Sequence, residues 1–143
     1  MLLSRACEYG LQALLYIAAV PQGKYVLTRE VASQCGLSYH FLGKILHDLV
    51  KNRLLTSQKG PSGGFTLAKP ADEITLLDVI NAIEGRDFLS ACVLGLSYCG
   101  EPNPCPVHSQ WVETKEKIHQ MFAGRTITQL LEVTRSEEDS VSA

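Results

Sequence analysis

Apolar residues cover most sides of the first stretch that can form a helix: Ala6, Leu11, Ala13, Leu14, Leu15, Ile17 and Ala18. A helix apolar on so many sides is largely buried. Ser4 can cap it, and Pro21 with Gly23 stops it near Val20. Thr28 then opens a short helix that Gly36 ends, and Ser38 caps another over residues 39–52. In that helix Phe41, Leu42, Ile45, Leu46 and Leu49 recur at steps of three and four, which predicts an inward stripe. Tyr39, His40, Gly43, Lys44, His47 and Lys51 are left facing outward. Helix, short glycine turn, helix is the helix-turn-helix order, and such an outward face can enter a DNA major groove. Gly43 costs a helix interior about 1 kcal/mol relative to Ala. Close approach to DNA would account for it, and so would drift.

The period then changes. Residues 55–58 and 65–67 read as two short strands joined by Lys59-Gly60-Pro61-Ser62-Gly63-Gly64. A hairpin with a cationic base and a glycine-rich tip is a wing, thin enough for a minor groove and able to offer backbone N–H groups to phosphate. It is not a nucleotide phosphate loop, because no GK[ST] follows and no helix begins after Gly64. Thr75, with Asp78 three residues on, predicts a capping box and a helix to about Glu84. Pro106 suits the first turn of a longer helix ending near Phe122, with Gly124 as its stop. Along it Val107, Trp111, Thr114, Ile118 and Met121 recur at steps of four, three, four and three, the period of a helix–helix seam. A two-fold dimer is the expected use of that seam, since one winged helix reads little DNA. Thr126 starts a last helix to about Arg135, and the acidic residues 136–143 are expected to be disordered.

Between these helices lies a segment of different chemistry, CVLGLSYCGEPNPCPVH, from Cys92 to His108. Cys92, Cys99, Cys105 and His108 are separated by six, five and two residues. Gly95, Gly100, Pro102, Pro104 and Pro106 forbid regular structure, so the loop needs something to order it. Three sulfurs and an imidazole suggest a metal centre. A core role suits Cys92 alone, because Cys99 and Cys105 lie among Gly, Glu, Asn and Pro. Structural disulfides suit neither the odd count of five cysteines nor a reducing compartment. Zinc remains a rival, although the paired C-x₂₋₄-C knuckles usual in structural zinc sites are missing, and a thiol switch is a third reading. Spacing alone leaves iron–sulfur ahead of zinc, and zinc ahead of the switch.

Composition adds bounds. A chain of 143 residues, 45% hydrophobic, can build one domain with a real core. The longest apolar run, residues 11–20, is too short to span a bilayer and contains Gln12. The N-terminus does not read as a signal peptide, so a cytoplasmic location is expected. Residues 1–70 carry eight basic groups against three acids, net +5, and the remainder five against twelve, net −7. A basic front half on an acidic chain points to a nucleic-acid face at one end. No acid–base pair or nucleophile arrangement is identifiable, which argues against a metalloenzyme, and an iron–sulfur electron carrier has no use for a wing.

Taken together, the chain resembles the Rrf-type winged-helix regulators, with their IscR-, NsrR- and CymR-like members. The resemblance rests on EYGLQALLYIA (residues 8–18), the helix-turn-helix block 31–54, GPSGGFTLA (60–68), TLLDVINAIEG (75–85) and the three-cysteine loop. It implies a mainly α fold: a winged helix-turn-helix over residues 1–85, a metal-binding loop over 86–108, and a long dimerisation helix with the C-terminal helix over 106–135. It implies a homodimeric transcription regulator, with repression favoured over activation, on a palindromic double-stranded operator, and no membrane or small-molecule substrate. Thr28, Ser38, Tyr39, His40, Lys44, Lys59, Ser62 and Gly63 would meet DNA, and Val107, Trp111, Ile118 and Met121 the second protomer. Cys92, Cys99 and Cys105 would hold an iron–sulfur cluster sensing iron–sulfur status, nitric oxide or redox state. His108, matching IscR-like members, is favoured as fourth ligand and gives a 2Fe–2S cluster. Glu8 from the partner chain, matching NsrR-like members, is the alternative and suggests 4Fe–4S. A metal-free thiol or zinc-containing regulator is the runner-up. Cys7 and Cys35 read as packing residues. Three departures from the family stand out: Phe65 replaces a tyrosine, Lys59 an arginine, and Arg53 a glycine, which leaves Asn52 to make the left-handed turn after the recognition helix. The first cysteine gap is also one residue longer than the common five.

Overall fold

The computed structural model describes residues 2–96 and 104–142, with side chains as far as Glu137. Its helices are α1 (Arg5–Ala18), α2 (Thr28–Cys35), α3 (Tyr39–Lys51), α4 (Leu76–Glu84), α5 (His108–Ala123) and α6 (Ile127–Ser142). Strands β1 (Leu55–Gln58) and β2 (Gly64–Leu67) form an antiparallel hairpin, Leu55 facing Leu67 and Gln58 facing Gly64. This is the mainly helical winged-helix arrangement expected.

Local chemistry sets the ends. The Ser4 hydroxyl accepts from Cys7 N–H at the start of α1, and Thr75 and Asp78 complete a reciprocal capping box on α4. Gly36 ends α2 at φ 66°, a left-handed step open to glycine. Thr28 opens α2 as expected, with Leu27 in the N-cap position. One cap differs from expectation. Arg53, not Asn52, takes the left-handed conformation after α3, at φ 64°. The Asn52 amide donates to Asp48 O at 2.8 Å, which ties it to the helix it ends and passes the turn on by one residue.

The core draws on five helices: Leu14 and Ile17 of α1, Val31 of α2, Leu42, Leu46 and Leu49 of α3, Val79 of α4 and Ile127 of α6, all 2% exposed or less. Phe41 leaves the expected inward stripe. It is 41% exposed, its ring edge-on to Tyr9 at 5.8 Å. Gly10 is buried where α1 crosses α3 and α4, and a Cβ there would meet Ile83 and Ile45. Val26 bridges to Phe65 through two 2.8 Å backbone bonds, so the wing is tied to the strand-like lead into α2.

The last helix also departs from the sequence reading. It continues through residues 136–142, where disorder is expected, and its start pairs Thr126 with Thr75. Ile127 and Leu131 enter the core, so α6 belongs to the winged-helix body and anchors its own acidic end. By contrast, none of the sixteen residues of α5 is buried. α5 starts at His108 with Val107 as its N-cap, two residues later than Pro106 suggests.

Candidate nucleic-acid interface and metal centre

The turn between α2 and α3 closes when Gly36 and Leu37 N–H donate to Ala32 O. That leaves Ser38 at the start of α3 with no side-chain capping bond and an exposed hydroxyl. Tyr39 is 56% exposed and meets His40 edge-to-face at 5.5 Å. Lys44 and His47 follow on the same outer side, and beside them Gly43 has open space where its Cβ would be. The wing presents Lys59, Pro61 and Ser62 to solvent. Gly63 is buried and donates its N–H to Gly60 O at 3.0 Å, so it shapes the turn and has no N–H to spare for phosphate.

A cleft of about 780 Å³ separates α2 and the start of α3 from the wing. Thr28, Tyr39 and Lys59, all expected at the DNA face, line it together. Arg29 lines it too, a residue the sequence reading counted among the basic groups but did not place. No local signal marks it, because the start of α2 meets the wing only in the fold. The lining holds two cations and no carboxylate, the electrostatics of a surface for a polyanion. Ser38, His40, Lys44 and Ser62 are exposed outside this lining.

The cysteine segment leaves α4 after Glu84. The Ser4 backbone N–H and hydroxyl both donate to that carboxylate, the former at 2.9 Å, which pins the first turn of α1 to the end of α4. Glu8, one turn further along α1, is half-buried. Cys92 opens a turn closed by Gly95 N–H to Cys92 O at 2.9 Å, with Gly95 at φ 75°. At the other end, His108 N–H donates to Cys105 O at 3.0 Å, so these two residues share the turn that begins α5. Trp111 Nε1 donates to Ala91 O at 3.1 Å and holds the segment's start against α5. Cys99 lies outside the described residues. Among the described residues no three His, Cys, Asp or Glu side chains are gathered as a metal site. The donor set of half-buried thiols and an imidazole suits a soft metal or a cluster iron. Cys7 is different. Burial first, and then the charges of Glu84 and Glu8, push its thiol up to about 12, and burial also raises Cys35. Thiols held protonated are poor ligands and nucleophiles, which agrees with packing roles for both.

Comparison with known proteins decides the family. The Rrf2 profile, described as an iron-dependent transcriptional regulator, matches residues 3–133. The chain belongs to the Rrf2 family. An Aquifex aeolicus protein provisionally named an HTH-type transcriptional regulator is 37% identical over 135 residues, 93% of each chain. A second so named, from Azotobacter vinelandii, is 28% identical over 96% of this chain and 82% of its own. Among solved structures, the global cysteine regulator CymR of B. subtilis gives a TM-score of 0.75 at 22% identity, covering 92% of this chain and 96% of that one. IscR of T. potens gives 0.74 at 25% identity, covering 92% and 87%. Rrf2 proteins are DNA-binding transcription regulators, typically dimeric and generally not enzymes.

Proposed function

We propose that this Rrf2 protein is a homodimeric cytoplasmic regulator, a repressor by preference, whose operator binding is switched by an iron–sulfur cluster. Cys92, Cys99 and Cys105 supply thiolates and His108 the fourth donor, in a 2Fe–2S cluster. Glu8 of the second protomer is the alternative donor. The observation that supports the reading is the backbone turn from Cys105 to His108 at the start of α5, closed by His108 N–H to Cys105 O, which keeps two of the expected donors on one short piece of backbone. A non-cysteine ligand is the weak point of such a site, so iron loss, nitric oxide or oxidation acts there first.

The dimer is supported by α5. A helix that buries none of its own residues gains little from its domain, and helices of this length are marginal alone. Ile118 and Val107 are half-buried and Met121 is 55% exposed, leaving apolar surface for a second protomer to cover. Thr114, the polar member of the seam, donates its hydroxyl to Gln110 O at 2.7 Å and so offers its methyl group.

The visible spectrum of anaerobically purified protein tests the cluster. A brown or red protein that turns colourless when any one of the three loop cysteines becomes Ala supports it. A colourless wild type overturns it in favour of a thiol or zinc regulator. His108→Cys then assigns the ligand: retention of a cluster with a shifted spectrum supports His108, whereas a shift confined to Glu8→Cys moves the fourth donor to the partner.

A further inference from the structure

A second pocket, of about 400 Å³, shares no lining residue with the wing cleft and lies between the end of α3, α4, the start of the 86–108 segment and α5. Its lining includes Lys69, Arg86 and His119 together with the apolar Leu54, Phe88 and Leu89. Asn52 and Asn81 add amides. The single carboxylate in the lining, Asp78, accepts from Thr75 N–H at 3.0 Å in the α4 capping box, so its charge is already engaged by backbone. Among the described residues Lys69 and Arg86 have no ion-pair partner, and the Asn81 amide makes no internal hydrogen bond. Two basic side chains against one carboxylate leave a concave lining of net positive charge beside apolar residues, which suits an anion from outside.

We propose that this pocket binds a small organic anion, a carboxylate or phosphate on a short apolar body. Lys69 and Arg86 hold the oxyanion, Asn81 donates to it, and Phe88 with Leu89 covers the body. The volume is within the range of a small-molecule site. Its walls include Asn52, which ends α3, and residues leading to Cys92, so the ligand touches the DNA-reading and cysteine-bearing parts at once.

The test needs neither DNA nor a cluster, so it stands or falls apart from the proposed switch. The full chain is titrated with phenyl phosphate, benzoate and inorganic phosphate, against chloride at matched ionic strength, while the amide resonances of Asn52, Asn81 and Phe88 are followed. Saturable shifts are expected with phenyl phosphate or benzoate, and the tighter of the two identifies the head group. Lys69→Met and Arg86→Met, whose side chains reach solvent and can be lost without unfolding, should each weaken that binding by at least about tenfold. Four results overturn the site: no saturable binding, chloride giving the same shifts, inorganic phosphate binding as tightly as phenyl phosphate, or both variants binding like the wild type.

Discussion

Arg53 holds a backbone conformation that an L side chain enters at a penalty of about 1 kcal/mol or more, at φ 64°. Glycine has no Cβ to clash there, so Arg53→Gly is expected to raise unfolding stability by on the order of 1 kcal/mol, read from the shift of the urea midpoint. An unchanged or lowered midpoint would mean that the guanidinium contributes as much as the strain removes. The need for a left-handed step was legible in the sequence, but its holder was not. The bond from the Asn52 amide to Asp48 O depends on how α3 ends, which residue preference alone does not reveal. Cys7 makes a second residue-scale prediction. Its folded-state thiol lies near 12 against an ordinary value of 9.0, so the folded protein holds the proton more tightly than the unfolded chain. That stabilisation is complete below about pH 9 and is lost as pH rises toward 12. Cys7→Ala should therefore show a shallower fall in stability across this alkaline window. Equal slopes for the variant and the wild type would contradict the shift.

At the scale of elements, α3 and the wing were readable because burial repeats with a helix's period and a hairpin has its own turn residues. Phe41 misled the reading. Leu42, Ile45, Leu46 and Leu49 already fill the inward face, and Phe41 lies about 100° around the helix from Leu42, against Tyr9. The end of α6 was hidden for another reason. Its acidic residues look like a solvated tail, and the anchor that keeps them helical, Ile127 with Leu131, enters a core assembled from distant segments. The wing cleft and Arg29's place in it are equally non-local. On this geometry Lys44→Ala, Lys59→Ala and Arg29→Ala should each weaken operator binding and lower the salt dependence, log K against log[salt], by about one. Tyr39 and His40 variants should instead change which sequence is preferred. If the three charge variants keep the wild-type salt slope, DNA does not lie across this face.

The whole molecule has one well-packed body, comprising α1 to α4, the wing and α6, and one helix, α5, with its exposed side unsupported. Met121 is 55% exposed, so Met121→Asp removes little from a single protomer. In the proposed dimer it places a charge in an apolar seam, and sedimentation should show monomers that no longer hold a palindromic site. A variant that still sediments as a dimer would remove this part of α5 from the interface. The cysteine segment was recognisable by its residue types. How its ends are tied to α4 and α5, through Ser4 to Glu84 and Trp111 to Ala91, was not, because each contact joins residues far apart in the chain. Those ties join the segment to both the body and α5. The central claim is that the cluster alters DNA binding, and the direct measurement is operator affinity with and without it. A site selected by the protein from random-sequence DNA would be titrated with anaerobic cluster-loaded dimer and with the same protein after iron is removed, at one fixed salt concentration. The account predicts affinities at least about tenfold apart, within the usual range of coupling between two sites. Equal affinities for the two forms would contradict it.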